Sequence, residues 1–327
     1  MIKCNLCQYI SGDKTMLYFI VNKKSKSGKG AKVWQEVQGI LIRKKIHYKA
    51  WITEYEGHAF SLAEKICEMV DEDICLVAVG GDGTANEVIN GIVHWEKVRF
   101  GMIPTGSGND FARGLGIQGT TEQNLDRILN GMKLNREDTA SIDLGRVSFQ
   151  GGQKSRLFAI SAGIGLDAIV CKKALKSKVK ALLNKLHLGK LTYLFLTVQS
   201  LFSMETTDAV ICFDRKDKIG AKKVIFVAAM NFRAEGGGIP MAPDADACDG
   251  KLSVCQVCGI PKWKTFFCLP FLVAARHVNM EGFLVSDCVD CDIKLKHPMV
   301  LHTDGEYCGE VSELHFECLP GKLSVFR

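Results

Sequence analysis

The 327-residue chain lacks most of the marks that assign a function at a glance. No G-x-x-x-x-G-K-[ST] run occurs, which excludes a Walker A nucleotide loop. No G-x-S-x-G elbow occurs, which argues against a Ser-His-Asp hydrolase. The 8 histidines show no H-x-x-x-H spacing and read as scattered structural residues rather than zinc ligands. No internal repeat or low-complexity tract is present. Long hydrophobic runs are missing too. The longest uncharged apolar stretch, Leu191 to Met204, is interrupted by Thr, Gln and Ser. A membrane span needs about 20 mostly apolar residues. No stretch reads as a secretory signal.

Cysteine, by contrast, is plentiful, with 14 in the chain. The cysteines are scattered and several sit inside apolar runs, as Cys75, Cys212 and Cys268 do. They read as reduced, buried thiols. The C-x-x-C pairs Cys4 and Cys7 and Cys255 and Cys258 lie about 250 residues apart and each is a weak zinc signal alone, as is a third pair, Cys288 and Cys291. Lys and Arg number 42 against 36 Asp and Glu, for a formal charge of +6. This mild basic excess suits a nucleotide, an anionic membrane face or a nucleic acid without choosing among them. No aromatic platform accompanies the lysines, so nucleic acid is not expected.

Two textures follow one another along the chain. Met16 opens an apolar strand through Val21 and reads as the functional start, with residues 1–15 an optional extension. A polar loop from Asn22 to Gly30 leads into a helical pattern through Val33, Val37 and Leu41. A strand near Lys49–Thr53, a helix over His58–Val70, the strand Ile74–Val79, a helix from Thr84 and the strand Phe100–Pro104 continue the alternation. Such alternation predicts an α/β domain with a parallel sheet. After about Asp138 short strand-like runs dominate, at Ile142–Phe149, Arg156–Ala162, Ala209–Phe213, Val224–Met230, Leu252–Val257, Asp292–Lys296 and Glu313–Cys318. They predict an antiparallel β domain, broken by one helical insert over about Ile169–Ser203.

The most informative segment is Gly80-Gly81-Asp82-Gly83-Thr84-Ala85-Asn86-Glu87, where a buried strand runs through glycines into a helix. Glycines let backbone N–H groups approach phosphate, and the helix N-terminus favours negative charge. Asp82 would repel phosphate unless a cation such as Mg²⁺ lies between them. Thr84 and Glu87 have the spacing of a capping box, which predicts the helix start. A second glycine loop, Pro104 to Arg113 (PTGSGNDFAR), also follows a strand, and the two would line a cleft. The Asn22–Gly30 loop adds four lysines that suit a phosphate clamp or a plain solvated face.

GGDGTANEVING, PTGSGNDFAR, the lysine-rich first loop and a late Asp304-Gly305-Glu306 together resemble the bacterial diacylglycerol kinase and lipid kinase family, relatives of ceramide and sphingosine kinases. The likeness runs from about Leu17 to the C-terminus. It implies a phosphofructokinase-like ATP-binding domain over 16–138, joined by a returning segment over 319–327, and a β-sandwich lipid-substrate domain over 139–318. ATP contacts would fall on Asn22, Lys23, Lys24, Ser25, Lys26, Thr53, Gly80, Gly81, Asp82, Gly83, Thr84, Ala85, Asn86 and Ser107. The family usually has proline where Lys23 stands and glycine where Lys26 stands. Glu306 would be the base for an acceptor hydroxyl, with Asp82 beside Mg²⁺; by itself Asp-Gly is an ordinary hairpin turn. A structural Mg²⁺ would take the Asp249 carboxylate and the carbonyls of Asp246 and Lys251.

The implied reaction is ATP- and Mg²⁺-dependent phosphorylation of diacylglycerol to phosphatidic acid. Other lipid alcohols, NAD, or a non-catalytic nucleotide-binding regulator remain alternatives. The expected setting is cytoplasmic and peripheral at the inner membrane face, with a homodimer left open. Between Asp167 and Glu205 there is no acidic residue, and seven lysines fall from Lys172 to Lys190. Leu175, Val179, Leu182 and Leu186 recur at helical spacing, with Gly189 ending the pattern. This segment predicts either a helix for an anionic bilayer surface or one packed on its own domain.

Overall fold

A computed structural model describes residues 16–176, 189–216 and 218–327. The chain divides into two units: one runs to Ile142 and includes Gly321–Arg327, the other is Asp143–Pro320.

In the first unit, β1 (Leu17–Val21), β2 (Tyr48–Ile52), β3 (Ile74–Gly80) and β4 (Val98–Pro104) alternate with α1 (Ser25–Arg43), α2 (His58–Met69), α3 (Asp82–Asn90), α4 (Asp110–Gly114) and α5 (Thr121–Gly131). The strands lie in the order β2-β1-β3-β4, all parallel. β1 and β3 are buried at every position, as expected of parallel strands covered on both faces. The chain goes outward from β1 to β2 and then crosses to the far side of β1 to lay down β3. Strand order therefore reverses at β1, and such switch points place ligands at the carboxyl ends of the strands. Phe19, Trp34, Val37, Leu41, Val77 and Phe326 share the core. Phe326 belongs to the chain's last residues. Its N–H bonds the Phe100 carbonyl at 3.0 Å, and its ring lies where a Cβ on Gly131 would stand.

In the second unit the strands are β5 (Ala140–Phe149), β6 (Lys154–Phe158), β7 (Ser161–Gly165), β8 (Thr207–Phe213), β9 (Lys218–Val224), β10 (Phe226–Met230), β11 (Leu252–Val257), β12 (Phe283–Cys288), β13 (Asp290–Thr303) and β14 (Glu306–Val325). Here β5–β6, β7–β10, β7–β13, β8–β9, β8–β13, β10–β11, β11–β12 and β13–β14 pair antiparallel. β12, β11, β10, β7, β13 and β14 are successive neighbours. The expected strand Arg156–Ala162 is two strands, broken at Ala159–Ile160. The last two strands are far longer than the apolar runs suggested and form one hairpin around Asp304-Gly305. Beyond its tip β14 continues until Ser324 and Val325 pair parallel with β4.

Among the described residues three helices accompany these strands: α6 (Leu166–Lys176), α7 (Gly189–Ser203) and α8 (Lys262–Val273). Gly189 is the first residue of α7. Val179, Leu182 and Leu186 lie outside the described residues. α8 has no counterpart in the sequence reading, because it carries Pro270 and is apolar on both sides. Thr265, Cys268 and Leu272 face inward, while Trp263, Phe267 and Phe271 are 61%, 65% and 48% exposed. Among the described residues no helix is long and apolar enough to cross a membrane. Cys255, Cys288 and Cys291 are free and buried, Cys258 is free and half-buried, and burial raises the Cys255 thiol pKa. Cys4 and Cys7 lie outside the described residues.

Candidate active site

Three loops leave the carboxyl ends of β1, β3 and β4, and hydrogen bonds tie them together. The Asn22 Nδ2 donates to Thr84 Oγ1 at 3.1 Å. The hydroxyls of Ser25 and Thr105 lie 2.6 Å apart. The Thr105 N–H donates to the Gly80 carbonyl at 2.8 Å. Thr105 is fully buried, and sequence reasoning missed it although it lies inside the quoted loop. Thr53 extends the β1–β2 ladder through its N–H to the Val21 carbonyl at 2.9 Å.

The first loop turns through three consecutive left-handed residues: Lys26 (φ 44°), Ser27 (φ 54°) and Gly28 (φ 95°). Two of these carry side chains, at a cost of about 1–2 kcal/mol each. The regular part of α1 starts after them, so the expected loop and helix hold. Lys24 Nζ donates to the Glu54 carbonyl at 3.0 Å, so it binds backbone rather than standing ready as a clamp. Lys23 and Lys26 are exposed.

The glycines of the other two loops meet backbone to backbone. A Cβ on Gly106 would lie 2.8 Å from the Gly81 Cα. Glycine is therefore demanded by packing as well as by ligand approach. α3 begins at Asp82 with Gly81 as its N-cap and no side-chain cap. The expected Thr84–Glu87 capping box is absent. Glu87 instead accepts the N–H groups of Gly57 and Ala59, each at 3.0 Å, and so secures the start of α2. Thr84, Ala85 and Asn86 are buried. They shape the loop from behind, with Thr84 filling the space beside the buried Gly80, while Gly81 and Gly83 leave its backbone partly exposed.

Asp82 has a partner that sequence reasoning passed over. Its Oδ1 accepts the Phe111 N–H at 3.0 Å. Its Oδ2 and the Oδ2 of Asp110 both lie 3.1 Å from the point where a side chain on Gly108 would begin. Two carboxylate oxygens thus converge on a space kept empty by a glycine. A pair of hard oxygens around such a cradle fits a divalent cation of the Mg²⁺ type. Arg113 pairs with the other oxygen of Asp110. Beside these residues a cavity of about 710 Å³ is lined by Lys29, Val33, Ser107, Gly108, Asn109 and Arg113, among others. Of the expected ATP contacts only Ser107 lines it.

In the second unit Asp304 (φ 47°) and Gly305 (φ 86°) form the two-residue left-handed turn of a tight hairpin. Glu306 follows, half-buried and paired with Thr303 across the hairpin. Asp304 is buried, and its carboxylate accepts the N–H groups of Ala159, Ile160 and Ser161 at 3.0, 2.8 and 3.0 Å. His302 bonds Asp167 on one side and the Gly305 N–H on the other. Burial opposes a charge on His302, but the hydrogen bond and charge of Asp167, with Glu235 and Asp304 behind it, outweigh burial and push its pKa up to about 9. A hollow of about 720 Å³ beside the next residues is lined by Phe149, Lys154, Arg156, Tyr307 and Cys308, among others. Lys172, in the segment expected either to face a bilayer or to pack on its own domain, places its ammonium 4.5 Å from the Tyr307 ring and 3.6 Å from Glu310.

The acidic loop closes on itself. Asp246 accepts the Cys248 N–H at 3.1 Å and Asp249 accepts the Lys251 N–H at 2.9 Å. The Asp246 carbonyl holds the Asp249 N–H at a long 3.4 Å, a bond that a cation could replace.

Comparison with known proteins identifies the family. Residues 16–147 match the model of the diacylglycerol kinase catalytic domain, and residues 160–327 match that of the YegS C-terminal NAD kinase beta sandwich-like domain. The chain therefore belongs to the diacylglycerol kinase-type lipid kinase family. It is 29% identical over 296 residues to "Putative lipid kinase YtlR" of Bacillus subtilis strain 168, covering 89% of this chain and 93% of that one. It is 28% identical over 236 residues to a diacylglycerol kinase of the same strain, covering 72% and 71%. A crystal structure of a diacylglycerol kinase from Bacillus anthracis Sterne shares the fold at a TM-score of 0.64, with 18% identity and 96% of each chain covered.

Proposed function

We propose that this protein transfers the γ-phosphoryl group of ATP to the hydroxyl of a lipid alcohol, with diacylglycerol as acceptor and phosphatidic acid as product. The observation that carries this reading is the convergence of Asp82 and Asp110 on the cradle at Gly108, among loops whose backbone is uncovered. Phosphoryl transfer depends chiefly on positioning and charge neutralisation. Mg²⁺ held by Asp82 and Asp110 would supply that neutralisation. The N-terminus of α3 and the Gly80–Gly83 backbone receive the phosphates. Glu306 orients the acceptor hydroxyl and takes its proton. The loop at Asp246, Asp249 and Lys251 would hold a second, structural Mg²⁺.

A lipid acceptor calls for contact with a bilayer surface, and α8 suits it. Trp263, Phe267 and Phe271 recur at a spacing of four on its outer face, with Phe202 of α7 also exposed nearby; the Phe202 and Phe266 rings meet at a tilt, centroids 6.2 Å apart. Exposed aromatic faces of this kind mark interaction sites.

One observation favours a second acceptor. Lys154 and Arg156 make the hollow beside Tyr307 basic, which suits a lipid alcohol with an anionic headgroup, such as phosphatidylglycerol, better than neutral diacylglycerol. The test uses γ-labelled ATP, Mg²⁺ and mixed micelles carrying either lipid, with Glu306→Gln alongside. Label is expected in phosphatidic acid and reduced about 10²–10⁴-fold in the variant. Label in the anionic lipid alone would favour the second acceptor. No label in any component of a total lipid extract would remove the lipid kinase reading.

A further inference from the structure

His302 stands where three acidic side chains meet one turn. It lies in β13 with only 1% of its side chain exposed. Nε2 is 3.1 Å from Asp167 Oδ2 and 4.0 Å from Glu235 Oε2. On the other side of the ring the Gly305 N–H donates to Nδ1 at 3.2 Å. A donor aimed at Nδ1 requires that nitrogen to be unprotonated, so in the neutral ring the one proton sits on Nε2 and faces Asp167.

We propose that His302 is a positioning residue for Glu306: it grips the peptide of Gly305, the residue immediately before Glu306, and is itself tied to α6 through Asp167. The proposal rests on the reading of Glu306 as the group that meets the acceptor hydroxyl. Gly305 has no side chain, so only its backbone can be held. Asp304 is fixed from behind by the N–H groups of Ala159 to Ser161. His302 fixes the Gly305 end of the same turn. Freed there, the peptide can rotate and carry Glu306 with it, and a displacement of about 1 Å at a reacting group can cost about 10²-fold in rate.

The grip depends on the ring's charge. Asp167 from α6, Glu235 from the segment after β10 and Asp304 from the turn all face the ring and favour a second proton. That proton would go to Nδ1. It would turn the acceptor into a donor and set two N–H groups against each other. Placement of Glu306 is therefore complete only above about pH 9, where the ring is neutral, and is lost as the pH falls through that value and the ring charges.

Two substitutions separate the two sides of the ring. His302→Asn keeps an acceptor oxygen near the Nδ1 position and gives up the Asp167 contact. His302→Gln places its amide near the Nε2 position and gives up the Gly305 contact. The full-length protein is assayed for kcat, for KM toward ATP and for pH dependence. Amide hydrogen exchange at Gly305 and Glu306 is followed in parallel. His302→Asn is expected to retain kcat within about threefold and to lose the acidic limb of the pH profile. His302→Gln is expected to lose about 10- to 100-fold in kcat at unchanged KM for ATP, with faster exchange at the turn. Wild-type kcat and slow exchange in His302→Gln, or equal impairment of both variants, would overturn the proposal. If the wild-type protein phosphorylates no lipid, the kinase reading fails by itself. The exchange contrast between the two variants then decides for or against His302.

Discussion

At the carboxyl ends of β3 and β4 bare backbone makes the candidate binding surface, whereas at the tip of the β13–β14 hairpin side chains grip the backbone from behind. In the first case Gly81 and Gly106 approach so closely that a Cβ on Gly106 would overlap its neighbour. The glycines leave N–H groups uncovered and a cradle between Asp82 and Asp110. In the second case a buried carboxylate collects three N–H groups and a buried imidazole a fourth. The difference suits the two reactants. A polyanion is met by many weak donors and a cation, which backbone and paired carboxylates provide. A single hydroxyl needs one carboxylate held at one place, which calls for a fixed turn.

The largest expected effect breaks the second construction. Asp304→Ala leaves three N–H groups without their buried acceptor. Each such loss costs about 1–3 kcal/mol. The second unit should be destabilised by at least about 3 kcal/mol, read as a lower urea midpoint at unchanged slope. A loss under about 1 kcal/mol would mean that the turn holds without its clamp, and the contrast with the glycine loops would fall. Gly108→Ala probes the first construction more gently. Its Cβ would stand 3.1 Å from both Asp82 and Asp110. Stability should change little, while the Mg²⁺ concentration for half-maximal activity rises about 10-fold or more. Unchanged Mg²⁺ dependence would show that the two carboxylates do not share a cation.

The same difference decides what could be read from sequence. The glycine loops are contiguous, so GGDGT and PTGSGND display their chemistry directly, and strand–helix alternation placed them at strand ends. Asp110 and Thr105 lay in plain view inside the second loop. They were passed over because only folding brings Asp110 to Asp82 and Thr105 to Ser25. The hairpin site was less legible. Asp304 reaches back to Ala159–Ser161, and His302 to Asp167, across more than a hundred residues, and no local spacing encodes such contacts. The capping box failed for a related reason: Glu87 has the right spacing to Thr84, but α2 supplies donors that win its carboxylate. α8 escaped notice because a helix apolar on both sides has no periodicity to detect.

That two-sided helix yields the smallest expected effect, and it sharpens the division between the units. In the first unit the large exposed hydrophobic residues, such as Ile42, Tyr55 and Met69, are dispersed along the chain. In the second, Phe195, Phe202, Trp263, Phe267, Phe271 and Val273 gather on α7 and α8, while Val210, Ile219, Leu284, Val289 and Tyr307 stand apart. If the second unit alone meets the bilayer, Phe267→Glu should lower binding to anionic vesicles several-fold, since it loses apolar contact and adds like charge. Tyr55→Glu in the first unit should leave binding unchanged. Activity on a short-chain, monomerically dissolved lipid should be nearly equal in both variants, because neither residue lies in the glycine loops or the hairpin turn. Equal vesicle binding by Phe267→Glu and the wild-type protein would assign the aromatic face to something other than lipid. A defect with the dissolved lipid would instead tie α8 to the placement of Glu306, and lipid contact and catalysis would then no longer be separable functions of the second unit.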